Sequence, residues 1–256
     1  MGPNQSGLGN ATVRPVALEI VIQDLAGAQI AREAGVDRVE LCAALGTTGG
    51  LTPSLGMLEA AVAQQLAVHP LIRPRSGDFY YDAANLALCV RDIELAVGAG
   101  AAGVVVGALG EDNHLDHAAV ARFVAAAGQG QVTVHRAVDV ILAQHQNPAA
   151  LINELVDLGV TRVLTSGGKP KAGDGLQVLQ ELVQASAGRV QIMAGGGVEL
   201  ALIPQILATG VDAVHLSAKT LQAGGPTGPG GGSQSYEVTD PDLVRQAVQL
   251  VRGPRL

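Results

Sequence analysis

Ala34-Gly35-Val36-Asp37-Arg38-Val39-Glu40-Leu41-Cys42 reads as the end of a helix, a glycine and a short buried strand. The glycine supplies the left-handed residue that closes a helix. The β-branched and apolar residues after it favour an extended chain. The same punctuation recurs at Leu158-Gly159-Val160-Thr161 and at Thr209-Gly210-Val211-Asp212. Working outward, eight Val/Ile/Leu-rich runs mark candidate strands at 16–22, 38–42, 67–73, 103–108, 132–137, 162–166, 190–194 and 213–217. Ala-rich helical stretches lie between them, among them 24–33, 54–65, 83–99, 116–127 and 148–158, started by Asp24, Ser54, Asp116 and Pro148. Those are capping or first-turn residue types. Strand–helix alternation predicts a parallel sheet. Eight such units in 256 residues predict an α/β fold, a single-domain TIM (β/α)₈ barrel over 16–256, since about 250 residues is typical of one. A doubly wound open sheet is the alternative.

Composition agrees. Charged residues are 15% of the chain and 34 residues are glycine, against about 25% charged and about 7% Gly in ordinary soluble proteins. That balance suits strands covered on both faces. A net charge of −7, 2% aromatics and no Trp weigh against a nucleic-acid partner, which calls for a basic or stacking surface. No apolar run approaches the roughly 20 residues that span a bilayer, so no membrane partner is expected. Cys42 and Cys89 form no CxxC pair and imply neither a disulfide framework nor a structural zinc site. With residues 1–15 reading as a disordered tail rather than a targeting peptide, the expected location is the cytoplasm. The run AGGPTGPGGGSQS at 223–235 reads as a flexible loop over the barrel mouth, either a plain connection or a lid. Residues 240–251 read as a closing helix.

Sites in such barrels form on the loops after the strands, and polar residues concentrate there. Glu19 and Glu40 stand inside apolar strands, where a lone carboxylate is costly unless paired. Arg73 and Arg75, in Ile72-Arg73-Pro74-Arg75-Ser76-Gly77-Asp78, share one face if extended, which suits a carboxylate or phosphate with Asp78 alongside. The alternative is an ion pair of Arg73 with Glu19 or Glu40 across the barrel interior. His135 is a candidate general acid or base, with Asp139 to orient or replace it; a His satisfied within the core is the plainer option. Ser166-Gly167 after the sixth run, Gly195-Gly196 after the seventh and His215 with Ser217 in the eighth could line an anion site with backbone N–H groups. Equally, the glycines could serve only tight packing at the rim. His69, His114, His117 and His145 have no metal-ligand spacing.

These strings together resemble the CutC family, named for copper homeostasis. The resemblance is carried by Val36-Asp37-Arg38-Val39-Glu40-Leu41-Cys42, Gly49-Gly50-Leu51-Thr52-Pro53-Ser54, Ile72-Arg73-Pro74-Arg75-Ser76-Gly77-Asp78-Phe79, His135-Arg136-Ala137-Val138-Asp139, Arg162-Val163-Leu164-Thr165-Ser166-Gly167 and Met193-Ala194-Gly195-Gly196-Gly197, in order. It implies a TIM barrel, a cytoplasmic homodimer or higher homo-oligomer, and copper handling. The Cu(I) ligands it implies are cysteines ending the first two strands. The second corresponds to Cys42; the first falls near Val21, which has no thiol, and Cu(I) favours soft sulfur ligands. Two functions follow as expectations: copper homeostasis with copper binding at Cys42, or an isomerase, lyase or hydrolase acting on a small anionic or phosphorylated ligand. A metal-dependent nuclease is a third, opposed by the acidic charge.

Overall fold

The structure, a computed structural model, describes residues 15–229 and 232–253. The expected tail lies outside them apart from Pro15. Eight strands, β1 (Ala17–Ile22), β2 (Arg38–Leu41), β3 (Val68–Pro70), β4 (Gly103–Val106), β5 (Gln131–Val134), β6 (Arg162–Thr165), β7 (Gln191–Ala194) and β8 (Ala213–Leu216), fall within a residue of the expected starts. They form one sheet in the order β3-β2-β1-β8-β7-β6-β5-β4, with parallel pairing. A parallel bridge between Leu71 and Val105 joins the two ends, with Ile72 N–H donating to Val105 O at 2.8 Å. The sheet is thereby a barrel, and the open-sheet alternative falls away.

Helices α1 (Leu25–Ala34), α2 (Leu45–Thr48), α3 (Leu55–Val62), α4 (Ala83–Gly98), α5 (His117–Ala127), α6 (Ala137–His145), α7 (Pro148–Asp157), α8 (Leu176–Ser186) and α9 (Ile203–Leu207) run between the strands. The caps are those the residue types suggest. Asp24, Ser54 and Asp116 accept from Gly27, Met57 and Ala119 N–H. Gly35 ends α1 at φ 71°, the left-handed conformation that favours glycine.

Alternation along each strand sorts side chains into two layers. Leu18, Ile20, Val39, Val104, Val163, Ile192 and Val214 point outward and join the helices in one continuous core. Each such burial is worth about 1.5–3 kcal/mol. The inward set is mixed. Val21, Cys42, Leu71 and Val105 form one apolar cluster, and Leu164, Met193 and Ala213 another. Between and below them are buried polar groups. Arg162, 1% exposed, donates to Gln191, Thr133 and Gln131 at 2.9–3.0 Å. His69 is pushed down to about 4, chiefly by burial, and is therefore neutral at neutral pH.

After β8 the chain forms a hairpin that the sequence reading did not anticipate: β9 (Lys219–Ala223) pairs antiparallel with β10 (Ser235–Thr239). The Gly-rich run at 223–235 therefore begins and ends in strand residues. Helix α10 (Pro241–Arg252) closes the chain, capped by Asp240. No helix among the described residues is long and apolar enough to cross a membrane.

Candidate functional site

A cavity of about 440 Å³ opens at the C-terminal ends of the strands. Its floor and walls include Glu40, Arg73, His135, Arg136, His215, Ser217 and Lys219, with Val21, Leu71, Phe79 and Leu164 as apolar surface.

Strand register assembles the floor. Glu19 on β1 lies opposite His215 on β8, and Val21 lies opposite Glu40 on β2. Period-2 alternation turns Glu19, Glu40 and His215 all inward. Glu19 is fully buried and holds two partners: Arg38 Nε at 2.5 Å and His215 Nδ1 at 2.7 Å. Burial works to raise its pKa, but the His215 hydrogen bond and the Arg38 charge outweigh it and hold the carboxyl well below the usual range. Glu40, 6% exposed, has no such partner: its Oε2 is buried without a hydrogen bond, 3.9 Å from His215 Nδ1. Burial, with Glu19 adding to it, pushes Glu40 up to about 7 against the pull of His215. Burial opposes a proton on His215, yet the Glu19 hydrogen bond and the charge of Glu40 win and raise its pKa. Glu19, Glu40 and His215 offer donor atoms within 4.8 Å of one another, a spacing a metal ion could bridge. Both Glu19 oxygens are already engaged by Arg38 and His215, so the set is organised as a hydrogen-bonded acid–base cluster.

The structure brings some expected residues to this cavity and not others. His135 lines it, but not beside Asp139. Its Nδ1 accepts from Ala137 N–H at 3.1 Å, which puts the ring proton on Nε2, and that atom is buried without a partner. Burial and the nearby Arg73 charge push His135 down to about 3, so it is a neutral imidazole at neutral pH. Asp139 instead accepts from Thr165 Oγ1, Ser166 N–H and Oγ, Gly168 N–H and Arg136 Nε at 2.5–3.0 Å. Ser166 and Gly167 are spent in that knot, and Gly167 N–H donates to Thr165 Oγ1 at 2.9 Å.

Arg73 reaches the cavity but makes neither ion pair expected of it; it donates to the carbonyls of Thr48, Gly50 and Gly77 at 2.6–2.9 Å. Glu19 takes Arg38 instead. Arg75 does not share a face with Arg73, because the strand ends at Pro70 and the chain turns; it pairs outside the cavity with exposed Asp78 at 2.7 Å. Gly196, His215 and Ser217 line the mouth, whereas Gly195 does not, its N–H being taken by Thr165 O at 3.0 Å. Two site residues went unread. Arg38 was legible from its period-2 relation to Glu40. Arg136 follows His135 directly and stands three before Asp139, the spacing of its ion pair.

Cys42 was the expected copper ligand, and its surroundings do not fit Cu(I). Its thiol packs among Val21, Leu71 and Val105, and burial, with Glu40 and Glu237 nearby, pushes its pKa far up, away from the thiolate a soft metal needs. The partner thiol that the family resemblance implies falls near Val21, which has none. Cys89 belongs to the separate layer between sheet and helices.

Comparison with known proteins agrees with the geometry. Residues 16–220 match the CutC family. A CutC family protein of Edwardsiella ictaluri is 43% identical over 204 residues, 79% of each chain. One from Xylella fastidiosa is 40% identical over 244 residues, 91% of this chain and 88% of the relative. A crystal structure of a candidate copper homeostasis protein CutC from Streptococcus agalactiae superposes with a TM-score of 0.73 at 32% identity, over 78% of this chain and 97% of that one. With the family matched over most of its length, and relatives and structure agreeing, the chain belongs to the CutC family.

Proposed function

We propose that this protein is an isomerase or lyase that moves a proton on a small anionic, carbonyl-bearing substrate held at the barrel mouth. The observation that carries this reading is the set of orphaned atoms. Glu40 Oε2, His135 Nε2 and Arg73 Nε are each buried without a partner, and all three residues line one cavity. Each such orphan costs about 1–3 kcal/mol, a cost that a ligand supplying acceptors and a proton would relieve. A group with a pKa near neutrality is the most effective proton-transfer catalyst at neutral pH, and Glu40 at about 7 meets that condition. Glu19 orients His215 much as a carboxylate orients imidazole in a hydrolytic triad. Neutral His135 offers a donor suited to a carbonyl oxygen in which negative charge develops. Hydrolysis is less well served, because no side chain here forms an activated nucleophile.

Copper enters through the family's name, and a copper-homeostasis role built on Cys42 has the thiol chemistry above against it. The proposal includes a cytoplasmic location, supported by two free thiols, and a homo-oligomer, supported by the family resemblance; light scattering checks the latter. The test of function is solvent exchange. The protein is incubated in D₂O with a panel of small carbonyl-bearing anions, dihydroxyacetone phosphate among them, and loss of C–H signal is followed by ¹H NMR. Exchange that Glu40→Gln reduces at least about 100-fold supports the reading; exchange with no member of the panel contradicts it.

A further inference from the structure

We propose that the anionic end of the substrate is a phosphate monoester, seated in the cavity beside the corner where Arg136 meets the strand-end backbone of β7 and β8. This rests on the acid–base reading of the same cavity and adds the substrate class and its orientation. Arg136 is held rigidly on one side. Nε donates to Asp139 Oδ2 at 2.7 Å, and Nη2 donates to Ser166 Oγ at 3.0 Å and Lys169 O at 3.3 Å. Its Nη1 donates to no acceptor among the described residues.

On the same cavity, the N–H groups of Gly196, Gly197 and Ser217 likewise donate to no protein acceptor among the described residues, whereas Gly195 N–H is taken by Thr165 O at 3.0 Å. Lys219 adds a cation at the rim, shared with Glu237 on β10. A side chain at Gly196 would lie 2.7–2.9 Å from the Arg136 guanidinium, so the guanidinium packs where only a glycine leaves it room. The donors on this wall of the cavity are the Arg136 Nη1 group, three backbone N–H groups, the Ser217 hydroxyl and the Lys219 ammonium that Glu237 shares. They outnumber what the two oxygens of a carboxylate accept well, and they suit the three terminal oxygens of a phosphate ester.

Orientation follows from the next residue. A side chain at Gly195 would lie 3.0 Å from His215 Cδ2. One residue step, about 3.8 Å, therefore separates the backbone against Arg136 from the backbone against the acid–base pair. The phosphate sits beside the reacting end, and the substrate is short.

The test uses the whole protein, ²H,¹⁵N-labelled, and inorganic phosphate, glycerol phosphate and malonate as probes at equal ionic strength. The expected result is saturable movement of the Gly196, Gly197 and Ser217 amide signals with both phosphates, the ester binding at least as tightly as inorganic phosphate and malonate about tenfold more weakly. Arg136→Gln is expected to weaken phosphate about 10- to 100-fold, the range for a charge-assisted bond. Glu40→Gln is expected to leave phosphate binding within about threefold, because Glu40 is outside the seat. Amides of the wild-type protein that do not move with phosphate, or that move equally with malonate, overturn the proposal without reference to any variant. Phosphate binding with no C–H exchange in any carbonyl compound overturns the acid–base reading and leaves the seat standing; the reverse pattern does the opposite.

Discussion

Replacing Glu40 by Gln separates the proposed role of this residue from a structural one, because the two predict opposite changes in stability. Glu40 is moved up from an ordinary 4.5 to about 7, chiefly by burial. The folded protein therefore keeps the Glu40 proton over a range in which the unfolded chain has lost it. Wild-type stability attributable to this group falls as pH climbs from 4.5 to about 7, then stays at its lower value. At about 1.4 kcal/mol per pH unit, the span from 4.5 to about 7 corresponds to about 2–4 kcal/mol. Glu40→Gln removes the ionisation and keeps the shape. The variant should match the wild type near pH 4.5 and exceed it by about 2–4 kcal/mol at pH 8.5, or roughly 4–16 °C in midpoint for a chain of this size. Denaturation followed by circular dichroism at several pH values reads both. A difference that does not grow with pH, or a variant less stable than wild type at pH 8.5, refutes the reasoning. The same variant should lose proton-transfer activity, so stability and function move in opposite directions, as expected for a strained catalytic group.

Three further outcomes follow. His135 and His69 are pushed down to about 3 and about 4, so the unfolded chain takes up protons below its ordinary 6.5 that the folded one refuses; stability should fall with pH from 6.5 toward 4, by about 1.4 kcal/mol per pH unit for each ring, and His135→Gln should shallow that slope in pH-dependent urea melts. Gly107→Ala would place a methyl 2.4–2.5 Å from the His135 ring; it should cost about 1–3 kcal/mol and cut C–H exchange while leaving the Glu40 titration unchanged, and a variant with full exchange activity would show that the position of His135 does not matter. Under anaerobic conditions, Cu(I) titrated against a competing chelator should bind Cys42→Ser as it binds wild type; a clear loss of affinity in the variant would restore copper binding at Cys42.

The barrel was readable because its signals are local. Gly35, Gly159 and Gly210 end helices, and β-branched runs follow them at regular spacing. The β9–β10 hairpin was not, because Lys219–Ala223 and Ser235–Thr239 are short, contain no fully buried residue and are separated by a glycine run that reads as a loop. In the site, position at a strand end pointed to His135 and His215, and an acid inside an apolar strand pointed to Glu40; all three line the cavity. What sequence could not supply was register. Whether Glu19 meets Arg38 or Arg73 depends on how β1, β2 and β3 align, and the i,i+2 argument for Arg73 and Arg75 fails once β3 ends at Pro70. Asp139 shows the same limit: four residues from His135 in sequence, it is claimed by the loop after β6, a contact made across the fold.

The central claim is that Glu40 exchanges a proton near neutral pH at the floor of the cavity. Titration of the ¹³C-labelled glutamate carboxyls by NMR, with the Glu40 signal assigned through Glu40→Gln, measures this directly. The account predicts a Glu40 midpoint near 7, with Glu19 remaining ionised across the accessible acid range; a Glu40 midpoint at or below 4.5 would contradict it.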